Sequence, residues 1–269
     1  MSRQSFAKST IIDFARKPRA IALMVGLLAI VPSARADESA SKILKAMSDY
    51  VGSQKIISAA FDSDIEVLTP ELQKIQFDSS GRFLLNRPDK MIVSRTGGYT
   101  DVELVFDGKQ LSLAGKNANV FMQTDFSGTI DQVVDHLYNK FDAMLPGMDL
   151  LTTNSDKELM TDMVDVRHIG RGVVDGVECE HLAARGIDTD WQIWIEAGAQ
   201  PVPRKYVLTS KTMVGAPQYT LRIRDWKTDV KVADDAFTFK PQKDASKVGF
   251  ESMSDFDEVP HGTTVGVKK

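Results

Sequence analysis

The sequence is poor in cysteine, and this limits how the fold can be held together. Cys179 is the only cysteine among 269 residues, so no intramolecular disulfide can form. A chain of this kind that folds in an oxidising compartment must be held together by burial of apolar side chains. We expect Cys179 to be a small buried residue rather than a reactive thiol.

Continuous apolar sequence is also scarce. A stretch of twelve mostly apolar residues, Ala20 to Val31, follows Arg16, Lys17 and Arg19 and precedes Pro32-Ser33-Ala34-Arg35-Ala36. As a helix it would rise only about 18 Å, well short of a hydrocarbon core of about 30 Å. The order of basic, apolar and small residues predicts a secretory signal over residues 1–36, cut before Asp37. An uncleaved N-terminal anchor is the alternative, because an arginine is unusual inside a cleavage site.

Positive charge becomes scarce once this segment is removed. Residues 1–36 hold six of the 33 basic residues and one of the 37 acidic ones, which leaves 27 basic and 36 acidic residues and a formal charge of −9. This balance argues against nucleic acid as a partner, because neutralising phosphates requires clustered Lys and Arg. It also argues against a general attraction to anionic lipid headgroups. We therefore expect a periplasmic protein without stable membrane insertion.

The familiar catalytic motifs are missing. The sequence contains no Gly-rich phosphate loop, no nucleophile elbow and no HExxH pattern. The densest polar cluster is Glu178-Cys179-Glu180-His181, where a strand would place Cys179 and His181 on one face. That pair could be a nucleophile with its base or half of a metal site, but a zinc site needs three or four ligands. We favour the interpretation that this segment is a strand with a purely structural role. We predict no catalytic residue, no metal and no cofactor.

Periodic patterns predict one helix followed by many strands. Residues 37–52 carry apolar side chains at spacings of three and four, which is typical of an amphipathic helix. From Lys55 the period changes to two, as in strands. Asp107-Gly108 and Asp175-Gly176 each lie between two apolar runs and predict tight hairpins.

Two helical stretches interrupt the strands in the middle of the chain. Thr129 and Gln132 form the pattern of a capping box, and so do Ser155 and Glu158, which we expect to open a short helix running through Met163. Four methionines lie within twenty residues of each other, namely Met144, Met148, Met160 and Met163. Methionine is flexible and polarizable and suits surfaces that accept varied apolar ligands. The stretch therefore suggests the lining of a lid, with ordinary core filling as the alternative.

The order of elements predicts a mainly β fold with an α lid. We expect a large curved antiparallel sheet whose concave face is covered by the helices. One domain spans residues 37–242, and residues 243–269 form a polar, loosely ordered tail.

Several segments resemble known envelope proteins. Gly81 to Met91, with its Arg87-Pro88 pair, resembles a strand of the lipoprotein-localisation carriers of the LolA and LolB type, and Phe106 to Leu111 resembles their next hairpin. The later strands and the closing strand of these carriers resemble three further segments, namely Trp194–Glu196, Pro203–Lys205 and Phe237–Pro241. The set is more similar still to predicted periplasmic proteins of the domain-of-unknown-function 2092 type, in which strands like Asp175–His181 and Asp190–Glu196 recur. The resemblance covers Ser41 to Gln242.

This resemblance implies a half-open β-barrel with an apolar cavity under a helical lid. The expected ligand-binding residues are Met144, Met148, Met160, Met163, Phe83 and Leu85. In the carriers, the Arg of the Arg-Pro pair holds the lid through hydrogen bonds to helix backbone, and Arg87 is the matching residue here. The alternative is that Arg87 only precedes a turn.

The implied function is binding or carriage of a lipid, a lipoprotein acyl chain or another apolar ligand. The alternative is an envelope sensor or protein-interaction module that carries no cargo. The chain lacks a lipidated cysteine and so does not resemble the membrane-anchored acceptor form. It departs from the soluble carriers in its longer middle section and in its Trp-rich strand, so the ligand stays open.

Overall fold

The computed structural model of the protein describes residues 35–141, 147–249 and 258–259. Apart from its last two residues, the predicted signal segment lies outside this part, as does Met144. The helices are α1 (Glu38–Ser53), α2 (Ile130–Phe141), a 3₁₀ helix (Asp149–Leu151) and α3 (Ser155–Met160). The strands are β1 (Arg35–Ala36), β2 (Ile56–Leu68), β3 (Lys74–Asn86), β4 (Lys90–Gly97), β5 (Asp101–Phe106), β6 (Gln110–Gly115), β7 (Val120–Asp125), β8 (Met163–Val174), β9 (Val177–Gly186), β10 (Thr189–Glu196), β11 (Pro203–Ser210), β12 (Gln218–Lys227) and β13 (Ser246–Lys247).

All thirteen strands belong to one sheet. Their order is β1-β8-β9-β10-β11-β12-β2-β3-β4-β5-β6-β7-β13. Every pairing between the longer strands is antiparallel, whereas β1 and β13 add two residues each in parallel at the two edges. The expected mainly β fold, with a curved and unclosed antiparallel sheet, is confirmed.

The hairpins and the first two helices are those that the local sequence predicts. Gly108 has φ +93° in the turn between β5 and β6, and both Asp175 and Gly176 have positive φ between β8 and β9. These backbone angles suit glycine and aspartate, and they match the twist of a tight hairpin. At the start of α2, Thr129 N donates to Gln132 Oε1 at 2.9 Å, and Gln132 N donates to Thr129 Oγ1 at 3.3 Å. The first capping box is confirmed.

The prediction of a second capping box is wrong. Helix α3 is preceded by Asn154, which makes no side-chain capping bond, and the helix ends at Met160 rather than running through Met163. Asp162 turns the chain with φ 60°, and Met163 then pairs with Gly186 as the first residue of β8. Strand pairing with β9 therefore takes Met163 out of the helix that its spacing predicted.

The C-terminal part of the chain returns to the sheet in an unexpected way. Residues 237–239, expected as a closing strand, do not form one: a turn covers residues 234–237, and Thr238 N donates to Asp235 O at 3.0 Å. Further along, β13 pairs with β7, and the side chain of Glu258 is 6% exposed. Part of the segment expected to be a loose tail thus contacts the body of the fold.

One apolar core joins the sheet to the helices. We call the sheet face that bears Leu85, Met91 and Trp191 the inner face, and the opposite one the outer face. Helix α1 buries Leu44, Met47 and Val51 in the same cluster, all at most 1% exposed. The inner face is therefore covered by the helices, as the amphipathic pattern of α1 predicts.

Candidate ligand-binding site beneath a helical lid

The floor of the candidate site is the inner face of β3, β4 and β5. Leu85 pairs with Met91, and Met91 pairs with Phe106, so three side chains that are 0% exposed lie side by side across the strands. Phe83, two residues before Leu85, is 6% exposed and points to the same face. These strands present a continuous apolar surface to whatever covers it.

The cover is the segment from Ile130 to Met160, which we call the lid; residues 142–146 of it lie outside the described part. Met148 is 6% exposed, and Leu150, Leu151 and Leu159 are equally well buried. Gly147 approaches β12 closely, since a Cβ on it would lie 2.3 Å from a methyl carbon of Leu221. The buried apolar side chains of the lid belong to the same core cluster as those of the floor.

The described residues that we expected to bind a ligand lie in or against one core. Phe83, Leu85 and Met148 are buried members of it, whereas Met160 and Met163 are half-buried and pack against it. Met163 belongs to β8 and not to the lid. Their role in binding stays a prediction.

Arg87 lies just beyond the end of β3 and reaches the lid from the side of the sheet. Its Nη2 donates to the backbone carbonyl of Leu151, and its Nη1 lies 3.9 Å from Asp131 Oδ1. The side chain is 12% exposed. Burial lowers the pKa of Arg87, and the nearby carboxylate of Asp131 opposes that shift. The guanidinium thus joins a strand end to the end of the 3₁₀ helix.

Two further contacts between sheet and lid were missed by the sequence analysis. Tyr206 on β11 donates its hydroxyl to Asp149 Oδ2 at 3.1 Å, and Trp191 on β10 donates Nε1 to the carbonyl of Leu159 at 2.8 Å. Both aromatic rings are almost fully buried. The polar atom of a buried Tyr or Trp usually finds a hydrogen-bond partner. This tendency was the signal from which such contacts could have been predicted. The partners themselves lie 57 and 32 residues away.

The environment of Asp149 is unusual for a carboxylate. Burial raises its pKa, while the hydrogen bonds from Tyr206 and from the backbone of Leu150 lower it again. Burial likewise raises the pKa of Tyr206 well above its ordinary value. The 3₁₀ helix is therefore held at one end by Arg87 and at the other by Tyr206.

An open groove lies elsewhere, on the outer face. It has a volume of about 370 Å³ and is lined by β8, β9, β10 and β11, with Arg167, Arg185, Asp190 and Gln192 among its side chains. The lining carries charges of both signs, unlike the apolar floor. None of the expected ligand-binding residues lines it.

Cys179 and His181 lie in different surroundings on β9. Cys179 is 0% exposed and donates weakly to the carbonyl of Val177 at 3.4 Å, and burial raises the pKa of its thiol. His181 stacks on Trp194 with 4.1 Å between ring centroids and lies 3.1 Å from Gln192 Oε1. These contacts support the structural interpretation of the strand.

Two classes of site are not found among the residues that the structure describes. Within this part, no three His, Cys, Asp or Glu side chains cluster closely enough to hold a metal ion. No helix in the same ranges is long and apolar enough to cross a membrane.

Comparison with known proteins shows a match to the model of one protein family. The model of the family described as "Predicted periplasmic protein (DUF2092)" matches residues 40–251, a range that contains both the sheet from β2 to β13 and the lid. This match confirms the resemblance that the sequence motifs carry. No curated protein matches the chain.

Solved structures with a similar fold include three from different bacteria. An uncharacterized conserved protein from Thermus thermophilus has 15% identity and a TM-score of 0.48, with 79% of this chain and 99% of that chain covered. LprF from Mycobacterium bovis has 11% identity and a TM-score of 0.42, covering 74% and 97%. A LolA superfamily protein from Nitrosomonas europaea has 14% identity and a TM-score of 0.33, also covering 74% and 97%.

Proposed function

Because the chain belongs to the DUF2092 family of predicted periplasmic proteins, we propose that it works in the periplasm. There it binds an apolar ligand, such as the acyl chain of a lipid or lipoprotein, between the inner face of its sheet and its lid. In this proposal the ligand takes the place of lid side chains that are buried in the core with the residues of the inner face.

The observation that carries this proposal is the way the lid is attached. The lid rests on an apolar floor, and the three described side chains that tie it to the sheet all donate from the sheet side: Arg87, Trp191 and Tyr206. A segment held this way can lift without breaking any strand pairing. The apolar floor that it uncovers then needs another apolar partner, since exposing it to water costs roughly 25 cal/mol for each Å².

Two lid residues suit an exchange between lid and ligand. Met148 lies in the core and Met160 packs against it. The unbranched methionine side chain repacks easily around ligands of different shape. Leu85 and Phe83 belong to the same core and supply the floor in this proposal. The ligand class that fits is therefore an apolar chain rather than a compact polar molecule.

Arg87 has the part of a latch in this proposal. Arginine can satisfy several acceptors at once, and Arg87 already donates to the carbonyl of Leu151. Asp131, at 3.9 Å, keeps the guanidinium oriented toward the lid. Loss of the latch should favour the open lid and change how long a ligand stays bound.

The test is native mass spectrometry of the protein purified from a periplasmic extract, with lipid extraction of the same sample. We expect a bound lipid or acyl species, and we expect the delipidated protein to bind an apolar fluorescent probe. An Arg87→Leu variant should release both faster, whereas Arg82→Leu, an exposed substitution on β3, should not.

A protein that is purified without bound ligand and that also does not bind the probe would contradict the proposal. If such a protein came from cells with a stable protein partner, the function would be that of an envelope interaction module without cargo. Release rates equal in the Arg87→Leu protein and the wild type would contradict the latch alone.

A further inference from the structure

The inner face of the sheet turns polar along β3 and β4. Along β4, Met91 and Val93 are followed on the same face by Arg95, about 14 Å from Met91 at the rise of a strand. Arg95 pairs with Gly81 on β3, and the next inner-face residue of β3 is Ser79. The hydroxyls of Ser79 and Ser63 lie 2.7 Å apart and are buried. Along the strands, the apolar floor is thus followed by a positive charge and by a pair of buried hydroxyl groups.

A carboxylate from a distant part of the chain occupies this position. Glu258 Oε2 lies 2.9 Å from Arg95 Nη1, although the two residues are 163 positions apart. Arg95 also lies 3.4 Å from Thr100 Oγ1, to which its Nη2 donates. The side chain of Glu258 is only 6% exposed, and that of Arg95 is 25% exposed. Burial of a carboxylate against an apolar face is costly unless a cation and hydrogen bonds compensate.

The compensation at Glu258 is incomplete within the described residues. Its second oxygen, Oε1, is buried and has no hydrogen-bond partner there. Tyr219 lies close by on β12, and its pKa is raised to about 12, mainly by burial and further by the charge of Glu258. A hydrogen bond from Ser63 and the charge of Arg95 act in the opposite direction. The site holds a carboxylate, of which one oxygen is bound by Arg95 and the other has no partner among the described residues.

We propose that Arg95 binds the carboxylate of a fatty-acid ligand at the end of the inner face, and that Glu258 occupies this site when no ligand is bound. The inference rests on the proposed function, since it places the acyl chain on the floor of Val93, Met91 and Leu85. The carboxylate of the ligand takes the place of the Glu258 carboxylate, so the charge of Arg95 stays balanced during the exchange. Glu258 then acts as an internal competitor that sets the affinity for acids.

The experiment compares a fluorescent polyene fatty acid with its methyl ester, which has the same chain but no charge. Dissociation constants are measured for the delipidated wild type, Glu258→Gln and Arg95→Gln. Glu103→Gln serves as the matched control, because Glu103 makes a similar ion pair with Lys116 at 3.0 Å on the outer face. A double variant, Arg95→Gln with Glu258→Gln, removes both charges together and guards against misfolding of the single Arg95 variant. Circular dichroism and thermal melting verify the fold of each protein.

We expect Glu258→Gln to tighten binding of the acid about tenfold, because a tethered group competes at an effective concentration near millimolar. Binding of the ester should stay unchanged, as should both constants in Glu103→Gln. In Arg95→Gln and in the double variant, the acid should bind no better than the ester.

The outcomes separate this inference from the proposed function. If acid and ester both bind the wild type but Glu258→Gln changes neither, the headgroup site is wrong and the carrier function stands. An equal gain for the acid in Glu258→Gln and Glu103→Gln is a general charge effect and also overturns the site. If neither probe binds any of the folded variants, both proposals fail together.

Discussion

Removal of the Arg87 guanidinium should loosen the lid while leaving the sheet intact. The side chain donates to the carbonyl of Leu151, lies 3.9 Å from Asp131 and is 12% exposed. Leucine keeps much of the apolar contact that the arginine stem makes but cannot donate. Arg87→Leu therefore deletes the polar connection at one end of the 3₁₀ helix and leaves that of Tyr206 at the other end.

The size of the effect follows from the type of bond. A hydrogen bond that involves a charged group contributes about 1.5–3 kcal/mol. Burial already lowers the pKa of Arg87, which shows that desolvation of the guanidinium offsets part of this contribution. We therefore expect the lower end, about 1.5 kcal/mol, which raises the lid-opening equilibrium constant about tenfold.

Hydrogen exchange measured by mass spectrometry at pH 7 tests the magnitude. Amides in residues 130–141 and 147–160 should exchange about tenfold faster in Arg87→Leu, because their exchange follows local opening. Amides in β9 and β10 should exchange at the wild-type rate, and the exposed Arg82→Leu variant should match the wild type throughout. An unchanged lid, or the same acceleration in lid and sheet, would refute the assignment of Arg87 to the lid.

Three further predictions concern the lid and the core. Burial raises the pKa of Asp149 in the folded protein above its ordinary value of 3.8. The stability that the protonated carboxyl contributes is therefore full below pH 3.8 and is lost as the pH rises through the folded pKa. Asp149→Asn should be more stable than the wild type at pH 7 in urea unfolding, and equal stabilities at pH 7, or a difference that persists at pH 3, would contradict this. Gly147→Ala should lower the free energy of unfolding by about 1–2 kcal/mol or more, because Gly147 has φ +90° and a Cβ would collide with Leu221, whereas Gly98→Ala, with open space around it, should have little effect in the same urea titration. Cys179 should resist a thiol reagent in the native protein and react after unfolding, since it is 0% exposed, and rapid labelling of the native protein would show that its strand opens easily.

The two ends of the inner face differ in chemistry, as the proposed binding of an amphipathic ligand requires. Leu85 and Met91 lie under the lid at the apolar end, and Arg95 lies with its hydroxyl neighbours at the polar end. At the polar end the chain's own Glu258 pairs with Arg95, and Met148 of the lid is buried in the core that also contains Leu85. In the proposal a ligand displaces Glu258 and lid side chains, which couples recognition of its chain to recognition of its carboxylate.

Local structure could be predicted because its causes lie within a few residues. The capping bonds between Thr129 and Gln132 span three residues, and the hairpin at Asp175 and Gly176 needs only their tolerance of positive φ. The methionine spacing was misleading at Met163, because pairing with Gly186 in β9 overrode the helical pattern.

The candidate site depended more on tertiary structure than on local sequence. Arg87 could be singled out by the resemblance of its Arg-Pro pair to that of the carriers, but its acceptor, Leu151, is 64 residues away. Nothing near Tyr206 in the sequence indicates Asp149, and nothing near Arg95 indicates Glu258.

The sequence by itself determined the class of fold, the positions of its hairpins and first two helices, and the apolar character of the inner face. These follow from side-chain periodicity, turn chemistry and capping, which act between near neighbours. Only the tertiary structure decided which buried donor meets which acceptor, as with Trp191 and Leu159, because such pairs depend on the register of thirteen strands and on where the lid comes to rest. A buried polar residue needs a partner, and only the folded chain shows which one it finds.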